Sequence, residues 1–271
     1  MSKTILITGA TDGIGLLTAK TLAGAGHTVL LHGRSADKLA AAAQEVGGAP
    51  ETYRADLSRL EEVERLAGEV RARHDRIDVV INNAGVFKTD KTRTFEGLDT
   101  RFVVNTFAPF LLTQLLLSII PKEGRVVNLS SAAQAPVDVD AMRGKRALDH
   151  MEAYAQSKLA ITMWTQEMAR SHPEGPAFIA VNPGSLLASK MVKEGFGVAG
   201  SDLSIGADVL RRAALSDEFS SATGRYYDND AGRFAPPHDD AADPGKVAEI
   251  VEAIKTVIST HIKVGLNSGA S

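Results

Sequence analysis

KTILITGATDGIG, residues 3–15, decides how the rest of the chain is read. An apolar run, Ile5-Leu6-Ile7, reads as a buried strand, and Gly9, Gly13 and Gly15 follow where that strand hands over to a helix. Gly9 permits a tight turn, Gly13 lets backbone approach a phosphate without a Cβ in the way, and Gly15 allows close helix–strand packing. The helix beginning there offers free N–H groups and the positive end of its dipole to a pyrophosphate. With Thr11, Asp12 and Ile14 filling the loop, the segment predicts a dinucleotide site. Three glycines alone are a weak signal, since glycines also turn and cap chains for structural reasons. Their place in the first strand–helix junction gives them weight.

The same alternation continues outward. TVLLH, ETYRADL, IDVVINNAG, GRVVNLSS, AFIAVNPG and GRYYDND read as strands or strand ends. Helix-like segments lie between them, among them SADKLAAAAQEV with Ser35 as N-cap and RLEEVERLAGEVRAR. Short apolar strands alternating with helices predict a parallel sheet covered on both faces. No linker-like change of composition and no repeat interrupts the 271 residues, so one α/β domain over 1–271 is expected. Residues 185–215 are less regular and are expected to form a substrate-covering loop with short helices.

Composition narrows the function classes. With 44% apolar and 23% charged residues the chain is that of a folded globular protein. A net charge of −3 gives no reason to expect a nucleic-acid partner. The absence of cysteine excludes disulfides, thiolate metal sites and cysteine nucleophiles. The histidines are scattered and PPHDDAAD has no metal-ligand spacing, so no metal is expected. Residues 102–120 are apolar enough to be tested as a membrane span, but Asn105, Thr106, Pro109, Thr113 and Gln114 favour a helix buried in the core or an oligomer interface. A cytoplasmic protein without membrane attachment is the expectation, since no signal-peptide or lipidation pattern is read at either end.

Tyr154 and Lys158 stand four residues apart in MEAYAQSKLA, on one face of a predicted helix. A free tyrosine, with a pKa of about 10, exchanges protons poorly near neutrality. A neighbouring ammonium favours the phenolate, so the pair is expected to bring the phenol down. Ser131, at the end of its strand, is close in order, and Ser130 beside it is an alternative hydroxyl.

The glycine loop, NNAG at 82–85, Asn105, the serine pair at 130–131, Y-x-x-x-K at 154–158 and NPG at 182–184 occur in the order and spacing of the short-chain dehydrogenase/reductase family. The chain resembles that family strongly from Lys3 to about Gly184 and in layout beyond. The stretch of residues 132–153 is similar to the insertion of the retinol-dehydrogenase-like and carbonyl-reductase-like branches. The resemblance implies a single doubly wound Rossmann-like domain with a seven-stranded parallel sheet and helices on both faces, binding NAD(H) or NADP(H). It implies Tyr154 as general acid or base, with an oxidised nicotinamide, as well as the ammonium, favouring its phenolate. It implies Lys158 as holder of the nicotinamide ribose and Ser131 as the group that polarises a substrate carbonyl. Asn105 is implied to hold a water that relays protons to Lys158. Asp56 and Leu57 are implied at the adenine, Asn83, Ala84 and Gly85 beside the adenosine ribose, and Pro183 and Gly184 beside the cofactor. The family's threonine past the PG is replaced by Ala188, with Ser189 one place late.

Cofactor choice is read from LLHGRS. Gly33 stands where an NAD-selective site usually has a carboxylate, and Arg34 and Ser35 follow; a guanidinium suits a 2′-phosphate. NADP(H) is therefore preferred and NAD(H) remains possible, with Asp12 a mild counter-signal. The substrate is expected to be a small lipophilic ketone, aldehyde or alcohol. His150 is expected at an exposed helix position. The apolar helix and the Tyr154 helix are surfaces that similar proteins use to pair, which predicts a homodimer or homotetramer. A non-catalytic NADP(H) redox sensor, and an epimerase, dehydratase or lyase on the same scaffold, are the alternatives. Replacing Tyr154 by Phe separates a sensor from an enzyme.

Overall fold

Ile5, Leu6 and Ile7 have no exposed surface, and the strand they form lies at the centre of one sheet. The computed structural model describes residues 1–185, 187 and 202–262. Its strands are β1 (Thr4–Ile7), β2 (Thr28–Gly33), β3 (Glu51–Arg54), β4 (Val79–Asn82), β5 (Arg125–Leu129), β6 (Ala177–Asn182), β7 (Tyr226–Asp228) and β8 (Arg233–Ala235). They lie in the order β3-β2-β1-β4-β5-β6-β7-β8. The order reverses between β1 and β4, which opens a crevice at the carboxyl ends of the strands.

The sheet departs from the seven parallel strands expected. Seven are parallel, and β8 is an eighth that turns back antiparallel on β7, pairing Tyr227 with Phe234 and Asp228 with Arg233. Three residues are too few to show a strand period. β8 is held by its one large apolar side chain: Phe234 lies 5.2 Å from Phe219 and 5.1 Å from Tyr227, ring centre to ring centre.

Helices cover both faces. On one side lie α1 (Gly13–Gly24), α2 (Ala36–Val46) and α7 (Leu203–Leu215), over a core that includes Ile5, Ile7, Val127 and Leu210. On the other lie α3 (Leu60–Arg73), α4 (Thr100–Ile119) and α6 (His150–Ser171), over Leu6, Val80, Val126 and Phe178. The short helix α5 (Val139–Met142) sits in the segment before α6, and Gln156 of α6 accepts from the Asp138 N–H at its start, 2.9 Å.

The apolar helix is a core helix. In α4, 72% of the most apolar window is buried inside the protein, with Phe110 against Trp164 of α6 at 5.6 Å. The faces expected to pair with another copy are covered within the chain. α3 packs on α4, and α8 (Pro244–His261) packs on α6 through a cluster containing Trp164, Met168, Ile250 and Ile254. Within the segment expected to be loop and short helices, residues 203–215 form the single helix α7, packed on α1. Leu187 reaches it: a Cβ at Gly206 would stand 2.7 Å from Leu187 Cδ1. The positions of Leu186, Ala188, Ser189 and residues 190–201 lie outside the described residues.

Candidate active site

The glycine loop is built as its sequence predicts. Gly9 and Gly13 have φ of +66° and +54°, in the left-handed region that favours glycine. Gly15 is forced by space, since a Cβ there would stand 2.3 Å from the Gly9 carbonyl oxygen. Asp12 is the N-cap of α1 and accepts the Gly13 N–H at 2.7 Å. No group among the described residues accepts from the N–H groups of Ile14 and Gly15. Two unpaired donors at a helix N-terminus, behind a loop without side chains, fit a pyrophosphate. Asp12 opposes this by placing a carboxylate at the same helix end.

NNAG supports the loop from behind. Asn83 Nδ2 donates to the carbonyls of Thr8 and Gly9, at 2.9 and 3.0 Å, and the Ala84 N–H donates to Thr8 Oγ1 at 3.1 Å. Asn83 was expected beside the adenosine ribose; its amide is spent instead on the glycine turn. Asn82 continues into the core, donating to Asn128 Oδ1 at 2.8 Å and to Thr113 Oγ1 at 3.2 Å.

A residue that the sequence did not mark fixes the same region. His32 is 3% exposed; its Nδ1 faces the Gly9 N–H at 3.2 Å and its Nε2 faces the Ala55 carbonyl at 3.0 Å. That pairing requires a neutral ring with the proton on Nε2. Burial pulls its pKa down to about 4, against the opposing pull of the Ala55 carbonyl and Asp56. The folded value lies below the unfolded one, so this contribution is complete above about pH 6.5 and is lost as pH falls toward 4. The full loss is about 3 kcal/mol. Urea melts at neutral pH and near pH 4.5 should show the wild type losing more stability than His32→Gln; equal losses would remove His32 from the account.

At the end of β2, Gly33 leaves no room for the missing acid: a Cβ there would lie 2.5 Å from Thr11 Cγ2. Arg34 is exposed, and Arg54, level with Gly33 on β3, donates from Nε to the Arg34 carbonyl at 3.3 Å. Two guanidinium groups therefore flank this corner, of which the sequence signalled only Arg34. Ser35 is the N-cap of α2, as expected. Asp56 accepts from the N–H and hydroxyl of Ser58 through Oδ1, leaving Oδ2 for another donor, and Leu57 is buried beside it.

Tyr154 and Lys158 share one face of α6, with the Lys158 Nζ 5.6 Å from the phenol ring centre. Phe87 meets the ring edge-on at 5.1 Å. The choice between the serines is made by their partners. Ser130 is buried, bonded to Thr162 Oγ1 at 2.7 Å and donating to the Lys158 carbonyl at 3.0 Å. Ser131 is the neighbour whose side chain acts on the Tyr154 phenol, drawing its pKa down.

The neighbouring ammonium does not supply its expected share in lowering the phenol pKa. Burial pushes Tyr154 up, and only the Ser131 side chain works in the other direction. Lys158 instead donates to the Leu129 carbonyl at 2.6 Å, and burial pulls its ammonium down to about 8. An ammonium turned to a carbonyl and beginning to shed its charge near neutrality is a poor stabiliser of phenolate.

Asn105 lies in a π-helical turn, Val103–Phe107, within α4. Its side chain accepts the Val86 N–H at 2.8 Å and donates to the Val86 carbonyl and to Ser157 Oγ, both at 2.9 Å. Its amide thus ties the loop after β4 to α6. His150 is not at an exposed position: it is half-buried, and its Nδ1 meets Arg101 at 2.7 Å.

NPG is rooted in the far end of the chain. Asn182 Nδ2 donates to Asp228 and Asp230, each at 2.9 Å, the Ser185 N–H donates to Asp230 at 2.8 Å, and Asn229 donates to the Pro183 carbonyl at 3.0 Å. Gly184 follows with φ +123°. Burial would raise the Asp230 pKa, but the bonds from Ser185 and Asn182 outweigh it and hold the carboxylate down. His238, in PPHDDAAD, accepts the Asp240 N–H at 3.1 Å within its own turn.

A dinucleotide crevice at the switch point of a doubly wound sheet, with a serine–tyrosine–lysine cluster at its edge, defines an oxidoreductase class. The chain belongs to the short-chain dehydrogenase family, whose model, described as short chain dehydrogenase, matches residues 3–196. DnrU from Streptomyces sp. (strain C5), a protein named for daunorubicin C-13 ketoreduction, is 34% identical over 93% of this chain and 91% of its own. Human retinol dehydrogenase 13 is 31% identical over 83% of this chain and 76% of its own. A short chain dehydrogenase from Shigella flexneri, solved with NADP, superposes with a TM-score of 0.66 at 28% identity, over 84% of this chain and 97% of that one.

Proposed function

We propose that this protein uses NADP(H) to interconvert a lipophilic ketone or aldehyde and its alcohol. The observation that carries this reading is the grouping of Tyr154 with Lys158, whose Nζ lies 5.6 Å from the phenol ring centre, and with Ser131, whose side chain acts on the phenol, at the mouth of the dinucleotide crevice. The bound nicotinamide supplies or accepts the hydride. The protein's residues do the rest. The helix α1 N-terminus takes the pyrophosphate, Arg34 the 2′-phosphate and Asp56 the adenine amino group, with Gly85, Pro183 and Gly184 lining the cofactor. Ser131 polarises the substrate carbonyl and Tyr154 gives its phenolic proton to the oxygen as charge develops there. Lys158 turns to the nicotinamide ribose, and a water near Asn105 completes the proton path.

The raised phenol pKa suits reduction, because Tyr154 stays protonated through neutral pH and is ready to donate. Substrates patterned on those named for the relatives, a polycyclic ketone and the aldehyde that corresponds to a polyene alcohol, are the first to test with NADPH. Consumption of NADPH by either supports the reading; a protein that binds NADPH and turns over no carbonyl compound in such a panel fits a redox sensor instead.

Cofactor choice has its own test. Arg34→Ala should weaken NADPH binding by about 10- to 100-fold and leave NADH binding within about threefold, read by calorimetry. Equal weakening of both overturns the NADP(H) preference. We place the protein in the cytoplasm. A homodimer or homotetramer, if formed, must use surfaces other than the covered faces of α4 and α6, and light scattering on the purified protein reads its mass.

A further inference from the structure

Ser131 is held by its backbone as well as by its strand. Its carbonyl accepts from Tyr226 Oη at 3.1 Å and from Gln134 Nε2 at 2.9 Å. Gln134 is oriented in turn by the His238 N–H, which donates to its Oε1 at 3.3 Å. The Ser131 hydroxyl oxygen accepts the Ala133 N–H at 3.1 Å, which leaves its one O–H proton uncommitted. Tyr226 is 5% exposed on β7, which ends two residues later at Asp228; Asp228 and Asp230, in the turn just beyond, hold Asn182 and Ser185. One strand therefore grips the catalytic serine on one side and the NPG turn on the other.

We propose that Tyr226, with Gln134 as second donor, is a positioning residue that sets where the Ser131 hydroxyl points and so keeps it beside the Tyr154 phenol. The inference rests on the reading of Ser131 and Tyr154 given above and adds residues that do not touch the reacting atoms. Tyr226 suits the task because burial and the nearby Asp228 push its own pKa up, so it remains a donor throughout the working pH range. A carbonyl that loses one of two donors can rotate toward the remaining one, carrying the serine side chain with it.

The test is Tyr226→Phe, which keeps the ring and removes only the donor. With para-nitrobenzaldehyde and NADPH as probes, kcat should fall about tenfold while KM and the NADPH dissociation constant stay within about twofold. A second readout needs no turnover. The chain has four tyrosines, so a carbon-labelled tyrosine NMR titration of the protein without cofactor resolves each phenol, with Tyr154→Phe supplying the assignment. Because the Ser131 side chain lowers the Tyr154 pKa, turning it away in Tyr226→Phe should move that pKa upward. An unchanged Tyr154 titration overturns the proposal. So does a fall in kcat accompanied by equal losses of NADPH affinity and thermal midpoint, which marks a purely structural role. Should Tyr226→Phe fail to fold, Gln134→Ala removes the other donor, and the same upward shift is required of it. Ser131→Ala keeps the two readings apart: full activity there defeats the proposed chemistry, while the titration still decides whether Tyr226 positions the serine.

Discussion

Tyr154→Phe should lower carbonyl turnover by about 10²–10⁴-fold and leave NADPH affinity within about twofold. The substitution deletes one oxygen from a side chain whose ring is fixed by Phe87 at 5.1 Å and by the packing of α6. Nothing in the phosphate-binding corner depends on that oxygen, so cofactor binding gives an internal control for folding. The proton donor, however, is gone, and Ser131 has no phenolic partner to complete the path. In the wild type, burial raises the Tyr154 pKa and pulls Lys158 down to about 8, so reduction should hold level through neutral pH and alcohol oxidation should rise on the alkaline side. Retention of turnover in Tyr154→Phe would falsify the assignment of the proton donor. Calorimetry with NADPH on the same sample distinguishes that result from a failure to bind cofactor.

Asp99→Ala should cost about 3–5 kcal/mol of folding stability. Arg101, 1% exposed, gives Nε and its own backbone N–H to Asp99 Oδ1, each at 2.9 Å, and reaches His150 at the start of α6 with its other arm. Asp99 is also the N-cap of the helical run that becomes α4. Removing the carboxylate strands a guanidinium in the interior, where a lone charge is far costlier than the lost hydrogen bonds. Adding Arg101→Leu should restore much of the loss, because the double variant no longer buries a charge. Urea unfolding of both variants reads the difference; a single variant no less stable than the double contradicts the account.

The parts of this site that the sequence made legible are those written in local spacing. Gly9, Gly13 and Gly15 lie within seven consecutive residues, and Tyr154 and Lys158 within one helical turn, so short-range geometry brings them together. Strand alternation likewise placed Ser131 and Asn182 at sheet ends. What sequence reasoning missed depends on distant partners. Tyr226 meets Ser131 across 95 positions, Asp230 meets Asn182 across 48, and His32 joins Gly9 to Ala55. A hydrogen bond over such a separation leaves no periodic trace in the chain. His32 stood inside LLHGRS, between buried leucines and a glycine, and an imidazole in that position was the one available signal. The ammonium's expected share in depressing the Tyr154 pKa failed for a related reason: the i, i+4 spacing fixes proximity but does not reveal that the Leu129 carbonyl takes the ammonium.

The hairpin that adds β8 also changes what the margins of the sheet can do. A parallel sheet ending on β7 would present its unpaired peptide groups to any passing extended segment, the usual starting point of strand-mediated aggregation. β8 covers that row with only three residues, and its exposed Arg233 puts a charge on the new border. The opposite border, β3, is four residues long and carries exposed Thr52 and Arg54. Both flanks are therefore too short and too polar to template further strands, and the fold is protected from polymerising edge to edge.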